Sequence, residues 1–431
     1  MWKLHFHPTS LTVMTKDRTI AVPGDASDEQ FDFLAASRVD CSEQQTVREW
    51  PQWARWNGLL ERRYTLGVEE EVMLLNQSDR SLSQSSEEVL ARFSEDLRKH
   101  TVPETHAAVI ELATGIHVDV AGAVAELAAL RAELTRQLRA MSLDAAAAGT
   151  YPLPSSSATR VTRAERYRTI ADSMRMLARR EVTLALHVHV GIPDQEDAIR
   201  VLNRLRGAVP VLLALSANSP FCQGRDTGFA SARTVIFQGF PRTGTARSFA
   251  DYADYVDAVD AMIASGALPD PSFLWWDVRL QPALGTVEVR VMDTQSTIAD
   301  SAAMIALVQS LARLELEGEP ADGDVGPEML AENRFLAARD GSNARLIDPA
   351  MRELVPAREL AEATLTACHS HAAALGCAAE LDRNHRLARF NGANYQRARA
   401  DESGLVELVS TLVEQFATPI GGLDPPADRS M

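Results

Sequence analysis

Cysteine is scarce in this chain of 431 residues: Cys41, Cys222, Cys368 and Cys377 are the only four, and none stands in a C-x-x-C pair. That excludes a disulfide framework and fits a reducing cytoplasm. Long hydrophobic runs are missing as well. No stretch of about 18 apolar residues suggests a membrane span, and the opening MWKLHFHPTSLTVM lacks the continuous apolar core of a signal peptide. Positive charge is in deficit, with 43 basic residues against 59 acidic ones and a net charge of −16. Proteins that track phosphate backbones carry a basic stripe, so nucleic acid is not an expected partner. Neither G-x-x-x-x-G-K-[ST] nor a strand-following G-x-G-x-x-G occurs, so a bound nucleotide needs another device than a glycine loop. What remains is a soluble, cytoplasmic chain with small-molecule partners and an oligomeric state that the sequence does not reveal.

Against these absences stands the run YTLGVEEEVMLL, Tyr64 to Leu75. Its apolar, β-branched composition is that of a buried strand, yet it carries three consecutive carboxylates. Successive strand side chains point to opposite faces, so Glu69 and Glu71 share one face and Glu70 takes the other. Two carboxylates side by side on a half-buried surface repel and are desolvated unless cations compensate them. A divalent metal on oxygen ligands is one such compensation; a solvated acidic edge is the plainer alternative.

The rest of the chain divides unevenly. Residues 1–62 mix Pro, Asp, Ser and Trp without periodicity and read as an N-terminal extension of unknown role. Residues 63–416 hold the sharp patterns of one catalytic domain, and the Pro/Gly/Asp-rich 417–431 is expected to be a disordered tail. The patterns predict a strand to about Leu75, a helix ending near Lys99, and a second strand over Thr105 to Val118. A long helix over Ala121 to Ala148 follows, then a Ser/Pro loop and a helix over Arg163 to Arg180. Val182 to Val190 alternates like a strand, and Asp194 caps a helix that runs to Ala217. Asn218 to Thr245 is a long Gly/Ser/Thr/Arg loop of the kind that carries function. A helix over Phe249 to Ser265 precedes a hairpin, Trp275 to Leu280 and Thr286 to Met292. The region from Ala299 to Phe416 is mostly helical. Strands joined by helical excursions and hairpins point to an α+β fold with an antiparallel sheet.

Four strands place charged or metal-competent groups where an apolar strand should not carry them. They are Glu69 with Glu71; Glu111 in AVIELATG, with Glu104 just upstream; His187 and His189 in LALHVHVGIPD; and Glu288 with Arg290 in GTVEVRVMD. Singly, each reads as a satisfied core residue or a cross-face ion pair. Local rules that fail together mark a functional site. Many carboxylates with few histidines and no cysteine suit Mg²⁺ or Mn²⁺ better than zinc. Carboxylates around Mg²⁺ with arginines nearby are what phosphoryl transfer needs, and Arg279, Arg290 and Arg233 are the candidates.

GVEEE, ELATG, HVHVGIPD, LLALSANSPF-x-x-G-x-DTGFASART, WWDVR-x-x-P-x-x-GT-x-EVR and ENRF-x-AARDG come in an order that resembles the type 2 glutamate–cysteine ligases, which are distantly similar to glutamine synthetase. The resemblance runs from about Tyr64 to about Arg399. It implies a glutamine-synthetase-like curved antiparallel sheet with flanking helices. It also implies ATP- and Mg²⁺-dependent joining of the glutamate γ-carboxylate to the amine of cysteine. Carried over by position, Glu69, Glu71, Glu104, Glu111, His187 and Glu288 hold metal and His189 contacts phosphate. Arg290 and Arg279 bind phosphate or a substrate carboxylate. Two departures stand out: Tyr151 replaces a usual histidine and Asp340 a usual aromatic, which bears on the acceptor more than on the metal. The alternatives are the same chemistry on another acid or amine, and a non-catalytic relative. A metal-dependent hydrolase is disfavoured, because His369, His371 and His385 fall outside strand-like sequence.

Overall fold

The computed structural model describes residues 48–155, 159–179, 181–318 and 325–419. Contacts divide the chain into Met1–Glu49 and Trp50–Met431. The leader up to residue 47 and the tail from 420, expected to be an extension and a disordered end, lie outside the described residues. Trp50 to Arg62, read from sequence as part of the extension, belongs to the second unit. Trp50 meets Tyr252 edge-on at 5.2 Å, and Trp56 donates Nε1–H to the Ile192 carbonyl at 2.9 Å. No helix among the described residues is long and apolar enough to cross a membrane.

The centre of the second unit is one antiparallel sheet. Its strands are β1 (Leu66–Asn76), β2 (Thr101–Pro103), β3 (Val109–Ala113), β4 (Leu143–Ala146), β5 (Leu186–Gly191), β6 (Val278–Gln281) and β7 (Thr286–Val289). Their order is β6-β7-β5-β1-β3-β2, with β4 paired to the far end of β1. Alternation sorts each strand into two faces. Leu66, Val68, Val72 and Leu74 of β1 join Val188, Val190, Val287, Val289, Val278 and Leu280 in one core. Burying each of these contributes about 1.5–3 kcal/mol. Helices α1 (Val120–Arg139), α3 (Gln195–Ser216) and α5 (Ile298–Glu317) cover that face. The opposite face carries the charged residues and is walled by the shorter helices α2 (Glu165–Met174) and α4 (Ala232–Phe237).

Glu70 is fully buried on the core face. Its carboxylate takes a bidentate pair of hydrogen bonds from Arg131 of α1, one of them at 2.7 Å, and another from Ser301 Oγ of α5 at 3.1 Å. The middle member of the glutamate run is therefore a structural ion pair that ties strand to helices.

Several sequence expectations need correction. The helix placed over Ala121 to Ala148 ends at Arg139, and its last residues form β4, because register against Met73–Asn76 outweighs the helix propensity of an alanine run. The strand expected over Thr105 to Val118 is only five residues, and β2 beside it gave no periodic signal. The helix ending at Lys99 is two helices, broken where Ser94 caps the second by accepting from Leu97 N. The loop Asn218 to Thr245 contains α4, capped by Ser231.

Candidate active site

Register brings the charged residues together. Glu69 lies opposite His187, Glu71 opposite Glu111, Glu288 opposite His189, and Arg279 opposite Glu288. Of these, Glu69, Glu71, Glu111, His187 and Arg279 floor a cavity of about 390 Å³ whose lining also includes Glu104, Arg166, Tyr167, Arg233, Arg290 and Trp275, while Glu288 is buried behind them. Three sets of ligand atoms each fall within 4.8 Å of one another: Glu69/His189/Glu288, Glu69/Glu111/His187 and Glu71/Glu104/Glu111. Glu69 belongs to two of them.

The electrostatics differ along this row. Burial pushes Glu288 up, but the guanidiniums of Arg279 and Arg290 outweigh it and hold the carboxyl well below its usual range. Arg279 Nε donates to Glu288 Oε2 at 2.6 Å, Gln281 Nε2 at 2.8 Å, and Arg290 donates to the other oxygen. Glu69 is half-buried, which raises it, yet its hydrogen bond with His187 and the nearby His189 imidazole keep it ionised well below its ordinary value. His187 Nδ1 lies 3.1 Å from Glu69 Oε2, and burial, helped by Arg290, drops its pKa to about 4. It is a neutral imidazole; in the tautomer that donates Nδ1–H to Glu69, its Nε2 carries a lone pair.

The other end of the row is undercompensated: Arg233 and Arg290 draw Glu71 down, but less than its surroundings push it up. Burial, then the charge of Glu104, pushes Glu71 up to about 8, although Ala185 N donates to its Oε2 at 2.7 Å. Glu104 is raised by burial too, and Glu111 is raised well above its usual value by burial and by Glu69, Glu104 and Glu71. Three carboxylates that resist sharing their negative charge form a site short of a cation. His189 adds a second sign: Nδ1 is 3.1 Å from Thr286 Oγ1. Its Nε2 is buried without a hydrogen bond, because Glu69 Oε1 at 3.2 Å is badly angled. A hard divalent cation fits this donor set, since it takes carboxylate oxygens and one neutral imidazole nitrogen without needing thiolate.

Arg233, read from sequence as a phosphate contact, lines the cavity with part of its guanidinium already engaged. Its two terminal nitrogens donate to the carbonyls of Val291 at 3.0 Å and Arg290 at 3.1 Å, and Asp293 Oδ1 is 3.7 Å away. Asp293 in turn accepts from Asn218 N, Ser219 Oγ and Ser231 Oγ. Arg233 thus satisfies carbonyls beyond the end of β7 and fixes the backbone that carries Arg290. Tyr151 stands apart from the cavity: its side chain packs with Met73 and Leu75, and its hydroxyl donates to the Arg80 carbonyl at 2.9 Å. Asp340 pairs with Arg339 at the surface. Sequence reading missed Gln281, although strand alternation from Arg279 would have found it, and Arg166 and Tyr167, which only the docking of α2 brings to the cavity.

A second cavity of about 240 Å³ meets the row at its other end. It includes Glu69 and His189 at one end. Its walls are Gly67, Gly115, Gly191 and Gly285, with the exposed Ile116 and Leu284 at the rim. Along β1, Gly67, Glu69 and Glu71 therefore run from one cavity to the other.

A buried antiparallel sheet that presents clustered carboxylates and arginines to a cavity is the architecture of a class of ligases. Solved structures show the same fold. A glutamate–cysteine ligase from Francisella tularensis, in complex with AMP, superposes with a TM-score of 0.59 at 12% identity, over 84% of this chain and 91% of that one. A bifunctional glutathione synthetase from Pasteurella multocida does so with a TM-score of 0.55 at 13% identity, over 83% of this chain and 52% of that one. The fold is the glutamine-synthetase-like α+β fold of these proteins. At the level of sequence, residues 65–410 match the family described as Glutamate-cysteine ligase family 2. A protein of Rubrobacter xylanophilus named "Putative glutamate--cysteine ligase 2-1" is 39% identical over 364 residues, covering 83% of this chain and 96% of its own. A similarly named protein of Sorangium cellulosum is 36% identical over 335 residues, covering 77% of this chain and 89% of its own. The chain belongs to glutamate–cysteine ligase family 2. It is a ligase that forms carbon–nitrogen bonds.

Proposed function

We propose that the enzyme joins a carboxylate to an amine at the expense of ATP. Glutamate, through its γ-carboxylate, is the acid, and cysteine, the acceptor in the relatives' names, is the first amine to test. The observation that carries this reading is the single row of Glu71, Glu111, Glu69, His187, His189, Glu288 and Arg290 between two cavities. A carboxylate resists amines because its charge repels nucleophiles and oxide is a poor leaving group. Phosphoryl transfer from ATP converts it to an acyl phosphate. The amine then forms the C–N bond as the C–O bond to phosphate breaks. Phosphate leaves with the bonding pair, and the amine's proton passes to solvent.

Glu69, Glu71, Glu104, Glu111, His187 and Glu288 would hold Mg²⁺ or Mn²⁺, with His189 beside them. When bound, such ions neutralise phosphate oxygens and withdraw charge from the reacting phosphoryl group. The chain's own part is positional and electrostatic. Arg290 and Arg279, locked to Glu288, offer fixed positive charge where the transferred group and the oxyanion form, and they need not reorganise during the reaction. The glycine-lined cavity suits the nucleotide, since Gly67 and Gly115 put no side chain over the backbone there, while Gly191 and Gly285 make room for the backbone of Arg62 and Gly58. The arginine-bearing cavity suits the acid and the amine. No nucleophile from the protein is required.

The test is ADP release by the purified full-length chain with ATP, Mg²⁺, glutamate and cysteine. Glu69→Gln and Glu111→Gln should each cost several kcal/mol of transition-state stabilisation, on the order of 10³-fold in rate, with an unchanged circular-dichroism spectrum. Undiminished ADP release in both variants would overturn these metal assignments.

A further inference from the structure

The cavity of about 390 Å³ is two-sided. The sheet gives it a charged floor; the rest of its lining is mixed, with Arg166, Tyr167 and Ser272 beside an apolar part that comes from three separate elements. α2 contributes Ile170 and Met174, both buried; α4 and the turn after it contribute Phe237 and Phe240; and Trp275 comes from the strand Trp275–Trp276. The two phenylalanine rings sit 5.5 Å apart at a tilt, and Phe273 holds the Trp275 ring at 6.1 Å. Arg242 lies over Trp275 at 5.2 Å and Arg233 over Phe237 at 5.6 Å, so these rings are pinned in place by cations.

The part of this wall made by Trp275, Phe237 and Phe240 is stabilised when a matching apolar side group covers it. It lies on the arginine-bearing side of the row, at the opposite end of β1 from the glycine-lined cavity. A nucleotide base in the glycine-lined cavity would leave the aromatic wall for the other substrates. Resting on the ligase reading above, we infer that this wall is the side-group pocket of the acceptor, and that the preferred acceptor is a primary amine with a large aliphatic or aromatic side group instead of cysteine. The wall selects the amine, whereas Arg290, Arg279 and the carboxylates act on the acid and the phosphate. Trp275 and Phe240 are the specificity-determining residues.

The experiment measures ADP release and product mass with ATP, Mg²⁺ and glutamate fixed. The amine is varied among cysteine, alanine, serine, leucine, phenylalanine and 2-phenylethylamine. At least one of the last three should exceed cysteine in kcat/KM by about tenfold or more. Trp275→Ala should then lower kcat/KM for that amine by about 10- to 200-fold, the range open to a hydrophobic pocket, while the KM for glutamate stays put. Phe240→Leu, a milder change that keeps the wall apolar, should give a smaller loss in the same direction. Preference for cysteine, alanine or serine overturns the inference and leaves the ligase reading standing. Equal losses for every amine in Trp275→Ala and Phe240→Leu also overturn it. No amine-dependent ADP release with any member of the panel overturns both.

Discussion

Two faces of one strand handle the same side chain in opposite ways. On the core face of β1, Glu70 meets Arg131 and Ser301, and every charge has its partner. On the cavity face, one residue away on each side, Glu69 leans on two histidines, and Glu71 faces Glu104 and Glu111 with Arg233 and Arg290 too weakly placed to offset them. The balanced face holds helices to the sheet. The unbalanced face stores a demand for positive charge, which is what a metal- and phosphate-handling site requires. Asp300 repeats the balanced pattern elsewhere: Arg386 and Arg383 outweigh burial and hold its carboxyl below the usual range.

The largest expected effect lies on the balanced face. Glu70→Gln leaves the Arg131 guanidinium buried without its counter-charge, which costs about 3–5 kcal/mol. Urea unfolding monitored by tryptophan fluorescence should show that loss, and Glu70→Leu combined with Arg131→Met should recover most of it. A stable Glu70→Gln protein would erase the distinction between the two faces.

The next effect is on pH. In metal-free protein, Glu71 binds its proton up to about pH 8, whereas unfolded it releases it near 4.5. Between those values the native state holds more protons than the unfolded one, so the contribution of Glu71 to stability falls as pH rises from about 4.5 to about 8. Asp300 has the opposite sign: its contribution is present above pH 3.8 and is lost as pH falls through its lower native value. His187 and His106, neutral when folded, add stability as pH rises to about 6.5, so melting temperature in EDTA should decline above that, from about pH 6.5 to about 8. Excess Mg²⁺ should flatten that limb by binding only the native state. A metal-free melting temperature that rises across that window would mean the carboxylates are compensated already.

The smallest effect is the sharpest comparison. Glu71→Gln, one position from Glu70, should raise the metal-free melting temperature at pH 8, since it removes a repelling charge and not a paired one. A fall would place Glu71 with Glu70 among the structural residues.

Much of the site was legible because strands have a period of two. The pairs Glu69/Glu71, His187/His189 and Glu288/Arg290 each announce a shared face, and four such departures from apolar alternation mark a common location. The elements that failed to show were those without a period to read. β2 has three residues, β4 hides in an alanine-rich run that reads as helix, and α2 is half-exposed, so nothing local says that Arg166 and Tyr167 reach the cavity. Arg233 was legible as a residue of the cavity, but only the fold shows its guanidinium set against the carbonyls of Arg290 and Val291. Tyr151 looked like a change in the site and is a packing residue against Met73 and Leu75.

The sequence by itself determined which residues carry charge on which face of each strand, because side-chain alternation is a local property of the extended backbone. It also determined the family, because long motifs in fixed order survive in it. Only the tertiary structure decided which carboxylate finds a cation and which does not. That depends on register between strands and on the helix that happens to dock behind each one, and both are set by contacts between residues tens to hundreds of positions apart.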